Sequence, residues 1–328
     1  MKKGKRAGLF ACFALLVSGW MAVPSSTLAA YPEKPIRLVV PFGAGGSADA
    51  LGRIIAEGLS TSLGQTVTVE NRPGATGVIG SQAVARAQPD GYTLLLGYDG
   101  TIVIAPALNA DFPFDTRKDL KPVSKLADVG LVVAIHPSIP ANNIKELIDY
   151  SKLQSSRVSF ATPGVGSTAH MAGELLRLNA GMQWLHVPYA SGSGKFVVDL
   201  MAGVTPAAYI SVSTAAPFIN DGKIRGVGVP AASRHHSLPD VPTFSEAGID
   251  GLDAASWFGL FAPAGTPDAI VDRLNTEVTR LLADENISER LRNAALEPTP
   301  STPAQFGALI DSDLTKWSKV AREADLSN

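Results

Sequence analysis

The chain has 328 residues, of which 45% are hydrophobic and 18% charged, so it is long enough for more than one hydrophobic core. Its 28 basic and 30 acidic residues argue against a protein that binds nucleic acid or an anionic membrane through net charge. The single cysteine excludes an intrachain disulfide and a zinc site built from several thiolates.

Residues 1–30 have the pattern of a secretory signal. Four basic residues between positions 2 and 6 precede an apolar run from Leu9 to Val23, and small residues follow up to Ala30. A membrane anchor needs roughly 20 apolar residues, whereas this run is shorter and small residues interrupt it at positions 18 and 19. The sequence therefore predicts export to the periplasm, with cleavage after Ala29 or Ala30.

The single cysteine, Cys12, lies inside this apolar run. Lipoprotein cleavage at Cys12 is the alternative, but bulky Phe10 lies close by and the apolar run continues beyond it. We expect Cys12 to be removed with the signal, which leaves a mature protein without a thiol. The signal carries four of the 28 basic residues, so 24 remain against 30 acidic ones.

Short β-rich runs alternate with helical patterns in the first part of the mature chain. The predicted elements are strand Ile36–Pro41, helix Asp49–Leu63, strand Val67–Glu70, helix Gly77–Ala87 and strand Thr93–Gly97. This alternation favours parallel βαβ units with helices on both faces of a sheet.

A second series of elements begins at the apolar run Val129–Ile135. It continues with strand Ser159–Ala161, helix Ser167–Ala180, strand Trp184–Val187, helix Phe196–Ala202, and strands Ala207–Ile210 and Ile224–Val229. A last strand at Ser256–Ala262 precedes helices Ala269–Ala283 and Ser301–Arg322. A second α/β series followed by a helical return predicts two lobes, with the tail packed on the first. We expect one lobe from 31–128 and 255–328, and the other from 129–254.

Two glycine-rich loops, Pro41–Asp49 and Thr162–His170, each connect a predicted strand to a helix. Glycine allows backbone N–H groups to approach a ligand closely, and a helix N-terminus carries partial positive charge. Neither loop contains Lys or Arg, so an anion there would be bound by amides, hydroxyls and water. The alternative is two tight turns capped by Ser47 and Ser167. One loop in each lobe favours a shared binding site.

The first loop also resembles a dinucleotide fingerprint. Gly43, Gly45 and Ala48 fit G-x-G-x-x-A, and Glu70 ends the next strand. Export argues against a nicotinamide enzyme, and no constellation for hydride transfer is apparent. The five histidines show no H-E-x-x-H spacing, and no serine lies in a G-x-S-x-G elbow. No catalytic residue is singled out by these patterns, and we expect no cofactor and no metal.

Seven ordered segments of the chain match the motifs of a known family. They are Tyr31–Arg37, Glu70–Ala75, Pro89–Leu94, Gly164–His170, His186–Tyr189, Leu238–Thr243 and Trp257–Pro263. From Tyr31 to about Asp325 the chain resembles the Bug proteins, the solute receptors of tripartite tricarboxylate transporters.

The resemblance implies a two-lobed α/β periplasmic-binding-protein (Venus flytrap) fold, with parallel-type sheets flanked by helices. It implies that a small carboxylate binds between the lobes and is delivered to inner-membrane transporter subunits, with a monomer expected. Position by position, it carries the ligand-binding role to Phe42, Ala44, Gly45, Gly46, Ser47, Asp49, Thr162, Gly166, Ser167, Thr168 and His170, and more weakly to Tyr98, Tyr189 and Ser211. His170 would either touch the ligand or only orient the loop. By contrast, residues 71–74 are expected to form a structural turn.

The chain departs from the family pattern at three places. Ile210-Ser211 stands where an acidic residue and Asn are frequent, Tyr98 replaces a small polar residue, and Ala190-Ser191 replaces Lys-Gly. These changes predict a more apolar distal pocket, for a ligand with a carboxylate at one end and an apolar or aromatic body at the other. The ligand class expected from the chain as a whole is a small carboxylate, such as an aromatic or dicarboxylic acid. Two alternatives stay open: an exported enzyme acting on a carboxylated substrate, and a ligand sensor for a signalling partner.

Overall fold

The computed structural model of the protein describes residues 31–153, 158–189, 193–252 and 254–326. The predicted signal segment 1–30, with Cys12, lies outside these residues, and so does Ala190-Ser191. Within the described ranges, no helix is long and apolar enough to cross a membrane.

Strands and helices alternate along most of the described chain. Its first part contains β1 (Ile36–Val40), α1 (Ser47–Leu63), β2 (Val67–Asn71), α2 (Val78–Ala85), β3 (Thr93–Tyr98), α3 (Ala105–Leu108), α4 (Thr116–Asp119) and β4 (Leu120–Val129). The middle contains β5 (Leu131–Ile135), α5 (Ile144–Leu153), β6 (Val158–Thr162), α6 (Thr168–Ala180), β7 (Trp184–Pro188), α7 (Ser193–Met201), β8 (Ala207–Ser211), α8 (Val212–Asn220) and β9 (Arg225–Gly228). The last part contains β10 (Ser256–Pro263), α9 (Asp268–Leu282), α10 (Glu285–Asn293), β11 (Leu296–Pro298) and α11 (Pro303–Glu323).

The strands form two mixed sheets. Sheet A has the order β11-β4-β10-β3-β1-β2, and sheet B has the order β7-β6-β8-β5-β9. In sheet A, β2, β1 and β3 are parallel, as the alternating pattern predicted, while β10 runs antiparallel to both of its neighbours, β3 and β4, and β11 runs antiparallel to β4. Sheet B likewise contains the parallel strands β7, β6 and β8, and β5 runs antiparallel to both of its neighbours, β8 and β9. The prediction of a two-lobed α/β fold is confirmed, with each sheet less uniformly parallel than expected.

We call the part built on sheet A lobe 1 and the part built on sheet B lobe 2. The chain passes between the sheets at Gly130, which separates β4 from β5, and again along the segment from Val229 to Ala255. The predicted lobe boundaries at 128/129 and 254/255 stay predictions.

Strand β4 was not predicted from the sequence. Its segment contains two lysines and a proline, which lower strand propensity, and its apolar residues do not alternate regularly. The strand nevertheless forms because it pairs on one side with β10 and on the other with β11, with register shifts at two points of the β10 pairing. Tertiary pairing outweighs local propensity here.

The C-terminal helix α11 packs on both lobes, whereas we expected it on the first alone. Its apolar stripe, Phe306, Ile310, Leu314, Trp317 and Val320, is buried in one cluster together with residues of both sheets and of α6. A Thr302–Gln305 capping box begins the helix. Because α11 contacts α6, it links lobe 1 to the helix that follows the second glycine loop.

Candidate functional site

The first glycine loop runs from the end of β1 to the start of α1, and residues Gly43 to Ser47 are exposed. Gly46, not Ser47, is the N-cap of α1, and no side chain caps the helix there. The predicted Ser47 cap is therefore wrong. A helix start without a side-chain cap leaves backbone N–H groups available to solvent or to a ligand.

Asp49, in the first turn of α1, holds the first loop in shape. Its Oδ2 accepts the backbone N–H of Gly45 at 2.9 Å and Nε of Arg53 at 3.0 Å. Its Oδ1 accepts from Asn71 Nδ2 at 2.9 Å, and the same amide group donates to the Phe42 carbonyl. The bond from Arg53, with those from Gly45 and Asn71, lowers the pKa of Asp49 to about 2. The carboxylate thus stays ionised and keeps the positive-φ Gly45 in place.

The second loop connects β6 to α6 and is less exposed than the first. Here the predicted cap is confirmed, since Ser167 is the N-cap and its hydroxyl accepts from the backbone N–H of His170. Gly166, at φ 76°, donates its N–H to Nδ1 of His170 at 3.2 Å. His170 therefore supports the loop through Nδ1.

A stacked pair of histidines lies under the second loop. The rings of His170 and His186 are 3.9 Å apart, and Nε2 of His186 lies 2.6 Å from the Thr162 hydroxyl, which itself contacts the Gly164 backbone. Burial, together with the charge of His170, lowers the pKa of His186 to about 3, and burial also lowers that of His170. Both histidine rings are therefore neutral near pH 7. They support the second loop, together with Thr162, without adding charge to it.

Tyr98, at the end of β3, lies between the two loops. Its ring meets the edge of Phe42 from the first loop at 5.7 Å, and its hydroxyl lies 3.3 Å from that of Thr168 in the second. Burial raises the pKa of Tyr98 to about 12, so the hydroxyl keeps its proton. The structure thus brings the two predicted loops to one place, with Tyr98 between them.

Asp99 is a buried acid at this junction that the sequence did not single out. Only 1% of its surface is exposed; its Oδ1 accepts from the Ser256 hydroxyl at 2.7 Å and its Oδ2 from the Thr168 hydroxyl at 2.8 Å. Burial raises its pKa to about 7. An acid directly before a glycine is common in exposed turns, and only its position after the apolar run of β3 hinted at burial.

The two weaker candidates in lobe 2 are hydrogen-bonded within that lobe. The Tyr189 hydroxyl donates to Asp199 Oδ2 at 2.7 Å, and the Ser211 hydroxyl bonds to that of Thr214 at 2.8 Å. The interpretation of Ile210 is wrong: it is fully buried in a lobe 2 cluster and cannot make a pocket more apolar. Side chains alternate along a strand, so Ile210 and Ser211 face opposite sides of sheet B.

Other groups of the described chain do not add to this site. No cluster of three or more His, Cys, Asp and Glu residues could hold a metal ion among the described residues. A cavity of about 580 Å³ lies beside the crossing segments, lined by residues 128–131 and 229–236, and contains none of the predicted site residues. Another, of about 400 Å³, is bordered by His170 and His186. The junction itself offers amides, hydroxyls and neutral rings, which suit an anion.

Comparison with known proteins gives one consistent family. The model of the family described as "Tripartite tricarboxylate transporter family receptor" matches residues 51–326. Protein BugT of Bordetella pertussis is 36% identical over 294 residues, which cover 89% of this chain and 90% of that protein.

Two solved structures are similar over nearly their whole length. One is an R. palustris protein with adipate, at 32% identity and a TM-score of 0.75, covering 90% of this chain and 98% of that one. The other is MatC of Rhodopseudomonas palustris with bound malate, at 31% identity and a TM-score of 0.72, covering 88% of this chain and 99% of that one.

Proposed function

The chain belongs to the family of tripartite tricarboxylate transporter receptors, and on that premise we propose that it is a periplasmic receptor for a small carboxylate. It captures the acid between its two lobes and delivers it to the inner-membrane subunits of such a transporter, without chemical conversion. Adipate and malate in the two similar structures support the class of ligand.

One observation carries this proposal: two glycine loops from different sheets meet around Tyr98. Each loop precedes a helix, α1 in lobe 1 and α6 in lobe 2, and neither contains a cationic side chain. Backbone N–H groups at helix N-termini stabilise a carboxylate without an ion pair. The residues assigned to the ligand are those of the two loops and Tyr98, with Asp49 and His170 as supports of the loops.

Location and assembly follow the same proposal. The N-terminal pattern of basic and then apolar residues supports export with cleavage near Ala30, and the receptor acts as a monomer. The intact mass of the protein purified from the periplasm should correspond to a chain that begins at Ala30 or Tyr31. A retained Met1, or a lipid on Cys12, would contradict this assignment.

A thermal-shift screen of the mature protein tests the binding function. The panel contains monocarboxylic, dicarboxylic, tricarboxylic and aromatic acids, each beside its amide. An acid present at 100 times its Kd should stabilise the folded state by about 2.7 kcal/mol, which raises the melting temperature measurably. We expect at least one acid to do so and its amide to fail. Stabilisation by no acid, or conversion of a bound acid to product, would contradict the proposal.

A further inference from the structure

Asp99 joins the two lobes at the junction of the glycine loops. It follows β3 of lobe 1, and its two oxygens accept hydrogen bonds from Ser256, at the start of β10, and from Thr168, at the start of α6 in lobe 2. Thr168 and Ser256 are each only 1% exposed. Water therefore does not compete for these bonds, and the carboxyl group must be satisfied by its protein neighbours.

The Thr168 hydroxyl has one proton and two neighbours that compete for it. Asp99 Oδ2 lies 2.8 Å away and the Tyr98 hydroxyl 3.3 Å away, so the three groups form a chain from the buried acid to the partly exposed Tyr98. Each hydroxyl donates one hydrogen bond, so the direction of one bond determines the direction of the next.

Two proton arrangements follow from this chain. When Asp99 is ionised, Thr168 donates to it, Tyr98 donates to Thr168, and Tyr98 offers only lone pairs to a ligand. When Asp99 carries a proton on Oδ2, that proton is donated to Thr168 and Thr168 donates to Tyr98. The Tyr98 O–H is then free to donate to a carboxylate held by the two loops.

We propose that Asp99 is a positioning residue that sets, through Thr168, whether Tyr98 can donate a hydrogen bond to a bound carboxylate. Capture of a carboxylate is then accompanied by uptake of one proton from solvent onto Asp99. This inference rests on the proposed function, because it concerns the same site and the same ligand class.

The surroundings of Asp99 make both proton states accessible near neutral pH. Burial, and to a lesser extent the charge of Asp313 in α11, raises the pKa of Asp99 to about 7. Asp313 accepts from Trp257 Nε1 at 2.8 Å and pairs with Lys316 at 2.8 Å. Tyr98, whose pKa is raised to about 12, is the other titratable neighbour. His170 in α6, with a lowered pKa, stays neutral in the same range.

Titration calorimetry from about pH 6.5 to about pH 8.5 tests the inference, since carboxylic acids stay ionised throughout this range. The probes are adipate, malate and any acid that stabilises the protein in the screen. Each is titrated in two buffers of different ionisation enthalpy, which gives the number of protons taken up. The proteins are the parent, Asp99→Asn, Tyr98→Phe and Asp313→Asn.

At pH values above the pKa of Asp99 in the free protein, the affinity of the parent should fall about tenfold per pH unit, and binding should take up one proton. That pH is the midpoint of the profile. Asp99→Asn places a permanent N–H donor towards Thr168, so it should bind with a flat pH profile at the high-affinity level of the parent. Tyr98→Phe should also be flat, but at the weak level. Asp313→Asn should keep the slope and move its midpoint to lower pH.

Two results would overturn the inference while leaving the proposed function intact. One is a parent that binds a carboxylate with the same affinity, and without proton uptake, across the range. The other is an Asp99→Asn variant that keeps the slope, since a merely structural role of Asp99 would lower affinity at every pH. If no acid of the panel binds at any pH, the proposed function fails and the inference fails with it.

Discussion

In both glycine loops a positive-φ glycine donates its N–H to the side chain four residues later, but the two acceptors differ in charge. In the first loop the acceptor is the ionised carboxylate of Asp49, which accepts from Gly45 and from two other donors. In the second loop the acceptor is the neutral ring of His170, which accepts from Gly166 and stacks on His186. The first loop is exposed and the second is half-buried. Burial disfavours a charged group, so an ionised support can serve only the loop where Arg53 and Asn71 compensate it.

This difference suggests a division of labour between the loops. On the proposed function, we expect a ligand to meet the exposed loop first, and we expect the half-buried loop to connect binding to Asp99 and to α11 through α6. Closure of the lobes then requires a ligand that favours the closed arrangement by its differential affinity. Each prediction below perturbs one loop and leaves the other as its reference.

The largest expected effect comes from blocking the exposed loop. Gly46 has φ −89°, and no heavy atom lies within 4 Å of the position that a Cβ would occupy there, so Gly46→Val fits without strain but covers the backbone amides. Losing two hydrogen bonds to a charged group should weaken carboxylate binding about a hundredfold. Calorimetry measures this, and Gly46→Ala, whose methyl group adds little bulk and cannot cap the helix, is the matched control. Unchanged affinity in Gly46→Val would remove the first loop from the site.

A smaller effect is expected on the stability of the protein, and it should differ between the two supporting residues, Asp49 and His170. Asp49→Asn leaves at least one of three donors without its acceptor, so we expect a loss of about 2 kcal/mol in the free energy of unfolding. His170→Asn can place Oδ1 where Nδ1 accepts from Gly166, so its loss should be smaller. Urea unfolding of both variants gives the comparison. A greater loss in His170→Asn would show that the second loop depends more on its support.

The third expected effect is a difference in pH response. His186 has a folded pKa of about 3, below its ordinary value of 6.5, so the folded state binds fewer protons. Its contribution to stability is complete above pH 6.5 and is lost as the pH falls through about 3. Asp49, with a pKa of about 2, stays ionised over most of that window.

The variant His186→Gln isolates this contribution. It keeps a polar group near Thr162 but cannot titrate, so between about pH 7 and about pH 4.5 it should lose less stability than the parent. Urea midpoints at the two pH values measure the difference. Asp99 has the opposite effect on stability in both proteins. Because its pKa is raised to about 7, it destabilises the fold as the pH rises towards 7. Equal losses in parent and variant would show that His186 does not destabilise the fold in acid.

Much of this site could be predicted from the sequence because its determinants are local. Glycine between a β-rich run and a helix pattern indicates a close-approach loop, and Ser167 followed by a helix indicates a cap. The predicted cap at Ser47 is wrong by one residue, because α1 begins at Ser47 and its N-cap is Gly46.

The remaining features depend on contacts between distant parts of the chain. Asp99 gains its role only because β10 and α6 bring Ser256 and Thr168 to it, over 157 and 69 residues of separation. Ile210 was misassigned because the face that it occupies depends on how sheet B packs on α7 and α8. Likewise β4 forms through its partners β10 and β11, which follow it by more than a hundred residues.

The most direct test of the carboxylate site is calorimetry of the mature protein with one acid and with its methyl ester. The acid is the one that gives the largest thermal shift in the screen. Esterification removes the charge that the two loops are proposed to bind, so we expect the affinity for the ester to be weaker by about a hundredfold or more. Equal affinity for acid and ester would contradict it, because the loops would then not recognise a carboxylate.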